Sequence, residues 1–316
     1  MHVLITGANG FVGARLADRL LHAGAEHPIT RLTLLDTCID RSSDDRHLRL
    51  IEGSLTDPAV LQRALDQPVD VVYHLASIAG GHAEREFELG LQVNLLATVS
   101  LVELLRRQQR AARMVYASTI AVYGAALPAL VDDSTEKRPG LSYGAHKLCA
   151  EILIDDYSRR GWLDGRVVRL PGIVARAPAS AGLLSAFMSD IFWAAARGTA
   201  FVCPVSPQAT MWMMSVECCV DNLLHAAGLA SDTLRARRDY TLPALRVTMG
   251  ELAAALAHTF GRFDISYQPD AALEAAFGRL PMLDGRSAEA IGLRHDGSLP
   301  QLIARALPVL AASSSH

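Results

Sequence analysis

The chain has 316 residues, half of them hydrophobic and 20% charged, with a formal net charge of −3. This is the balance of a globular protein with enough chain to bury a sizeable core. It offers no basic block of the kind that nucleic acid or an anionic membrane surface requires, so neither is expected as a partner.

Short runs rich in Val, Ile and Leu at 2–6, 31–36, 47–52, 69–76, 112–118 and 165–171 predict strands. Between them lie helical patterns over Phe11 to Ala23, Pro58 to Leu65, Glu84 to Gln109 and Tyr143 to Arg159. Pro58 suits a first helical turn, and Gly24 and Gly161 suit helix ends. Continuous apolar strands alternating with amphipathic helices predict an α/β fold, a doubly wound Rossmann-type parallel sheet covered on both faces. From about residue 172 the alternation fades. There follow one apolar helix among Ala, Gly and Pro loops, a helix near 249–260, a short strand at 265–267 and a helix near 299–307. The reading is a nucleotide-binding domain over 1–171 that carries the catalytic residues, and a smaller α+β substrate lobe over 172–316. The two are free to exchange segments, and the lobe is expected at the carboxyl edge of the sheet. The Ala-Ala-Ser-Ser-Ser-His end reads as a frayed tail.

The first strand runs into Thr6-Gly7-Ala8-Asn9-Gly10-Phe11-Val12-Gly13 and then a helix. Gly7 permits a tight turn, Gly10 lets backbone N–H groups approach a pyrophosphate, and Gly13 lets the helix pack against the sheet. Without the strand–turn–helix context, three glycines are only a turn. The second strand ends at Asp36, whose carboxylate would accept the adenosine ribose hydroxyls and repel a 2′-phosphate, so NAD is expected over NADP.

Tyr143 and Lys147 stand four residues apart on one helical face. A phenol titrating near 10 is a poor base, and a neighbouring ammonium favours the phenolate. With seven tyrosines and two lysines in the chain, such a spacing arises by chance with an expectation of roughly 0.04. The bland alternative is a surface pair.

Together these motifs resemble the extended short-chain dehydrogenase/reductase family, over essentially the whole chain. Thr6 to Gly13 matches its glycine pattern, and Tyr143 with Lys147 its catalytic pair. His74-Leu75-Ala76-Ser77 matches the motif after strand four, Asn94 an asparagine on the next helix, and Ser118-Thr119 to Gly124 the strand-five motif. The resemblance implies Thr119, Tyr143 and Lys147 as catalytic residues. It implies a cofactor site of Gly7, Asn9, Gly10, Phe11, Val12, Gly13, Asp36, Ser54, Leu55, Leu75, Ala76, Ser77, Asn94, Ser118, Tyr143, Lys147, Pro171 and Ile173. Two departures stand out. Ser54 replaces a carboxylate near the adenine, and Met211 stands where members acting on nucleotide sugars carry an arginine on the diphosphate. A thioether cannot make such contacts.

Within the family, the segments His74 to Ser77, Glu84 to Asn94, Ser142 to Ala145, Asp156 to Gly161, Arg169 to Pro171, Val202 to Val205 and Trp212 to Ser215 resemble a branch that oxidises a small four-carbon sugar acid at its C2 hydroxyl with NAD. The implied substrate is therefore a hydroxy acid, met by Ser77, Thr119, Tyr143 and Arg176, the last either on the carboxylate or a solvated loop charge. The rival is a nucleotide-sugar 4-epimerase or dehydratase, and a lesser one a non-enzymatic NAD-sensing regulator. Gly80-Gly81-His82 reads as a mobile lid, with His82 a loop residue and not a catalyst. Family members often dimerise through helices at 94–109 and 143–159. A homodimer is thus implied, although core packing explains the Leu95, Val99, Val102 and Leu105 stripe equally well.

The opening Met1-His2-Val3-Leu4-Ile5 shows no secretory signal, and the longer apolar runs read as interrupted before membrane-spanning length. Five cysteines without metal-ligand spacing (Cys38, Cys149, Cys203, Cys218 and Cys219) read as reduced thiols of a cytoplasmic protein with no metal. The adjacent Cys218 and Cys219 read as buried small hydrophobes.

Overall fold

The computed structural model describes residues 1–22, 29–42, 45–178, 184–234 and 236–312. Gly24, expected to end the first helix, and residues 313–316 of the expected tail lie outside the described residues. In chain order the elements are β1 (His2–Thr6), α1 (Phe11–Leu21), β2 (Arg31–Asp36), β3 (Leu48–Glu52), α2 (Pro58–Ala64) and β4 (Val71–His74). Next come α3 (Gly80–Arg85), α4 (Phe87–Leu91), a π-helical stretch (Gln92–Leu96), α5 (Ala97–Arg107), β5 (Ala112–Thr119) and one turn of 3-10 helix (Ile120–Tyr123). Then follow β6 (Leu130–Val131), α6 (Ser142–Arg159), β7 (Leu163–Leu170), β8 (Gly172–Val174), α7 (Phe187–Arg197), β9 (Phe201–Cys203) and β10 (Thr210–Ser215). The chain continues through α8 (Val216–Gly228), β11 (Asp239–Thr241), β12 (Leu245–Thr248), α9 (Met249–Phe260), β13 (Ile265–Tyr267) and α10 (Ala271–Phe277). It ends with β14 (Met282–Leu283), α11 (Arg286–Ala290) and α12 (Leu299–Ala312).

These elements form two compact units. The first comprises Met1–Val122, Pro139–Arg169 and Leu223–Tyr240, and the second comprises Tyr123–Arg138, Leu170–Asn222 and Thr241–His316. The chain crosses between them several times; the boundary expected at residue 171 came with an exchange of segments between the two parts.

The first unit is built on a seven-stranded sheet in the order β11-β7-β5-β4-β1-β2-β3. The pairs β1–β2, β2–β3, β1–β4 and β4–β5 are parallel. Strand order therefore reverses at β1, with β2 on one side and β4 on the other, and such switch points are where α/β sheets bind ligands at their carboxyl ends. The β1, β4 and β5 strands are buried almost throughout, as expected of parallel strands covered on both faces. Leu4, Val72, Met114 and Tyr116 pack with Leu101, Val102 and Leu105 of α5 and with Ile154 of α6 in one core. Pro58 stands in the first turn of α2, capped by the Asp57 carboxylate on the Ala59 N–H, as the sequence implied.

Three expectations change. The helix over 84–109 is broken at Glu86 and passes through a π-helical stretch before α5. Phe87–Arg107 is nevertheless long and apolar enough to cross a membrane by length and composition, so the apolar runs are not all interrupted. Leu101, Val102 and Leu105 on it are sunk in the core, which gives its apolar face a partner. Gly80-Gly81-His82 is not a loop lid but the start of α3. Gly81 is buried there, and a Cβ on Gly90 would stand 2.9 Å from that of Ala83, so α3 and α4 fit closely.

The second unit has its own core of Trp193, Met211, Met213, Leu252, Leu302 and neighbours. A three-stranded sheet, β12-β10-β8, runs through it.

Candidate active site

At the end of β1 the backbone turns through Gly7 with φ +72°, a conformation that L side chains avoid. A Cβ here would lie 2.6 Å from the backbone nitrogen of Ala76, in the loop after β4. A Cβ on Gly13 would lie 2.0 Å from the Gly7 carbonyl oxygen. Both positions therefore admit only glycine. Gly10 is exposed and caps α1 with no side-chain acceptor, so a helix N-terminus, with Phe11 and Val12 in its first turn, is left for a phosphate to complete. This cradle, which side chains would fill, fits a dinucleotide pyrophosphate.

Asp36 ends β2 beside this turn. Its carboxylate accepts the backbone N–H of Asn9 at 2.8 Å and of Thr37 at 2.7 Å. A carboxylate offers about four acceptor directions, so lone-pair capacity remains after it has fastened the turn to the strand. The Ser54 hydroxyl pairs with that of Thr56 at 2.8 Å.

Leu75, Ala76 and Ser77 form the loop after β4, with Ser77 exposed. Asn94 clamps the end of this loop: its side chain accepts the Ile78 N–H at 2.7 Å and donates to the Ile78 carbonyl at 3.1 Å. Asn94, expected beside the cofactor, is a buried residue that spends one donor and one acceptor on that backbone. Leu55 and Ser118 are also interior, Leu55 in the sheet core and Ser118 donating to the Glu151 carboxylate. Beneath the glycine turn, His74 bridges the hydroxyls of Thr6 at 2.6 Å and Thr98 at 2.8 Å. Burial, reinforced by the Lys147 charge, pushes its pKa down to about 3, so the ring is neutral.

The candidate catalytic residues come from β5 and α6. Thr119 ends β5, where its hydroxyl oxygen accepts the Ala121 N–H at 3.1 Å and keeps its own proton for donation. The Ser142 N–H at the start of α6 donates to the Glu84 carboxylate at 2.9 Å, which ties α6 to α3. Tyr143 stands in the first turn, half-buried, with Gly80 against its ring. One turn on, Lys147 is 1% exposed and donates to the Ala117 carbonyl at 2.8 Å. Its ammonium also faces the rings of Tyr116, 4.7 Å from the centroid, and Tyr143, at 5.8 Å. Burial lowers the Lys147 pKa to about 7, and the Glu151 carboxylate opposes that shift.

Glu151, a second turn on, is held by the Arg169 guanidinium at 2.6 to 3.2 Å, and Arg169 reaches Asp239 as well. Sequence reasoning missed Glu151, Arg169, Tyr116 and Gly144. The spacing Tyr143, Lys147, Glu151, at i, i+4 and i+8, is the signal that could have found Glu151.

Pro171, Ile173 and Arg176 belong to the second unit. Pro171 is buried, Ile173 pairs with Met214 across β8 and β10, and the Arg176 carbonyl accepts the Trp193 indole N–H at 2.7 Å. Met211, on β10, is fully buried in the apolar core of that unit.

Residues 3–205 match the NAD dependent epimerase/dehydratase family. The chain is 38% identical to a D-erythronate dehydrogenase of Cupriavidus necator, covering 96% of this chain and 97% of that protein. It is 34% identical to a D-erythronate dehydrogenase of Haemophilus influenzae, covering 96% and 98%. A crystal structure described as a nucleoside-diphosphate-sugar epimerase from Agrobacterium tumefaciens superposes with a TM-score of 0.89 at 31% identity, covering 96% of this chain and 92% of that one. With the family model matched over residues 3–205 and relatives of 34–38% identity covered almost end to end, the chain belongs to the NAD dependent epimerase/dehydratase family.

Proposed function

We propose that this protein is an NAD-dependent dehydrogenase that oxidises the C2 hydroxyl of a small sugar acid, D-erythronate, to 2-keto-D-erythronate. The observation that carries the reading is the buried Lys147 ammonium, bound to Ala117 of β5 and facing the Tyr143 ring. A positive charge in that place favours the phenolate form of Tyr143. The phenolate takes the proton of the substrate hydroxyl, and the Thr119 hydroxyl donates a hydrogen bond to the same oxygen. Bound NAD would supply the hydride acceptor for the carbon that carries this hydroxyl. Gly7, Gly10 and Gly13 with the start of α1 would hold its pyrophosphate, Asp36 its adenosine ribose and Lys147 its nicotinamide ribose. Arg176 is assigned to the substrate carboxylate, which a cation or a cluster of donors must meet, and Ser77 with Thr119 to donors nearer the reacting carbon.

Support for the substrate comes from the two D-erythronate dehydrogenases matched over nearly their whole length. A second reading, a nucleotide-sugar epimerase or dehydratase, draws on the solved epimerase structure. Burial of Met211 among apolar side chains puts no cation at that position and favours the dehydrogenase.

The compartment assigned is the cytoplasm, in keeping with five cysteines that form no disulfide. The assembly assigned is a homodimer. Val102 and Leu105 are buried in the core, so core packing accounts for that part of the stripe. Within 94–109 and 143–159 the exposed large apolar residues are Leu96, before α5, and Ile152, on α6.

The test is NADH absorbance across four-carbon to six-carbon sugar acids, with nucleotide sugars alongside. Accumulation of NADH with D-erythronate is expected. Retained NAD with interconversion of a nucleotide sugar would sink the proposal.

A further inference from the structure

The Lys147 ammonium stands at a dry position, and such a charge persists only where its surroundings replace the water it has lost. Three groups do so. The Ala117 carbonyl on β5 takes one ammonium hydrogen at 2.8 Å. Glu151, one turn along α6, supplies the opposite charge, shared with Arg169 of β7, which in turn holds Asp239 of β11. The third is the face of Tyr116 on β5, whose ring centroid lies 4.7 Å from the ammonium nitrogen.

Tyr116 is fully buried, and its hydroxyl has no hydrogen-bond partner among the described residues. An unpaired buried hydroxyl is a cost, so stability alone gives no reason for tyrosine here. Its ring, by contrast, is fully engaged. One contact is the ammonium and the other is the imidazole of His74 on β4, stacked at 5.6 Å and 28°. Neutral His74 brings no competing charge to this stack. The remaining titratable neighbours of Tyr116 are Tyr143, Glu151 and Cys149, all on α6.

We propose that Tyr116 is a positioning residue for the reaction: the face of its ring holds the Lys147 ammonium in place and keeps it protonated where water is excluded. A cation over an aromatic face in a desolvated site is strongly attracted to the ring quadrupole. The functional consequence rests on the proposed use of Lys147 beside Tyr143, whereas the ring–ammonium interaction stands by itself.

The composition offers a direct test. Lys137 and Lys147 are the only lysines, so protein labelled with 15N at the lysine side chain gives two ammonium signals, and Lys137→Arg assigns them. In the wild type the Lys147 signal should titrate at about pH 7. In Tyr116→Leu the midpoint should fall by about one pH unit, and the alkaline limb of kcat/KM should move down with it. Tyr116→Phe keeps the ring and should restore both to wild-type values. A folded Tyr116→Leu with an unmoved midpoint would overturn the inference, and so would Tyr116→Phe shifting as far as Leu. If the Leu variant does not fold, phenylalanine and pentafluorophenylalanine at 116 give the same contrast at nearly constant shape. A lower midpoint with the fluorinated ring is expected, and equal midpoints would refute the ring's role. A midpoint that moves as expected in a protein inactive on every sugar acid leaves this inference standing and removes the proposed substrate.

Discussion

Gly144 in the first turn of α6 faces the carbonyl oxygen of Ala121 so closely that a Cβ would lie 2.6 Å from it, and 2.9 Å from the Cβ of Pro139. Ala121 follows Thr119 by two residues and Gly144 follows Tyr143 by one. The missing side chain is thus what lets the helix of the candidate base approach the strand end of the candidate donor. Gly144→Ala inserts a methyl against backbone, which cannot yield as a side chain can. A misplacement of about 1 Å in a catalytic constellation is worth on the order of 100-fold in rate. The expected outcome is a comparable fall in kcat/KM with the circular dichroism spectrum unchanged. Wild-type turnover in this variant would mean that the close approach has no catalytic purpose.

That contact illustrates what the sequence leaves hidden. The glycine turn, Asp36, and the Tyr143–Lys147 spacing are legible because each obeys a local rule: a strand–turn–helix, a strand end, one turn of helix. Gly144 obeys a rule of tertiary approach, between segments more than twenty residues apart, and no local pattern announces it. Glu151 and Arg169 are hidden for the same reason. Singly they read as a helical carboxylate and a strand arginine, and only the packing of α6 against the sheet makes them a buried ion pair. Asn94 shows a further hidden role: its side chain also clamps the backbone of Ile78, sixteen residues away, which no local pattern announces. The break at Glu86 and the π-helical stretch escaped because the apolar period continues through both.

Asp36 serves two ends in this geometry. Its carboxylate fastens the glycine turn through the Asn9 N–H, and the same charge is assigned to the adenosine ribose. Asp36→Ala removes charge-assisted hydrogen bonds, each worth about 1.5–3 kcal/mol, so NAD should bind about 10-fold to 100-fold more weakly. NADP should lose far less, because the repulsion of its 2′-phosphate disappears too. Calorimetric titration of both nucleotides reads the ratio, and an unchanged NAD-to-NADP preference would count against the assignment.

The buried ammonium also carries a stability cost with a definite pH dependence. Burial takes the Lys147 pKa from 10.5 to about 7. Between those values the unfolded chain binds the proton and the folded chain releases it, so stability rises with pH across this window. Below it both states are protonated and the whole penalty is present, on the order of a few kcal/mol. Lys147→Met keeps much of the side-chain volume and removes the charge. It should therefore abolish turnover yet raise the urea midpoint at about pH 6, with the gain shrinking toward about pH 9. A variant less stable than the wild type at the lower pH would show that the cage around the ammonium more than offsets its desolvation.

The exposed apolar residues give the last expectation. Ile152 is 65% exposed and Leu96 41%, on two segments that pack together: α6 and the π-helical stretch before α5. Isolated exposed hydrophobes are ordinary, but in the proposed homodimer these helices meet their counterparts, and Ile152 lies outward from the core-facing Ile154. Ile152→Asp places a carboxylate in each half of a two-fold interface through this helix, where it is doubled and desolvated. Within the monomer the same change is nearly neutral, since surface substitutions usually fall within about 0.5 kcal/mol. The expected result is a halved mass by light scattering at micromolar concentration, with the urea midpoint of the monomer close to that of the wild type. If wild type and variant share a monomeric mass, the homodimer is wrong. If both remain dimers, the interface lies on another face.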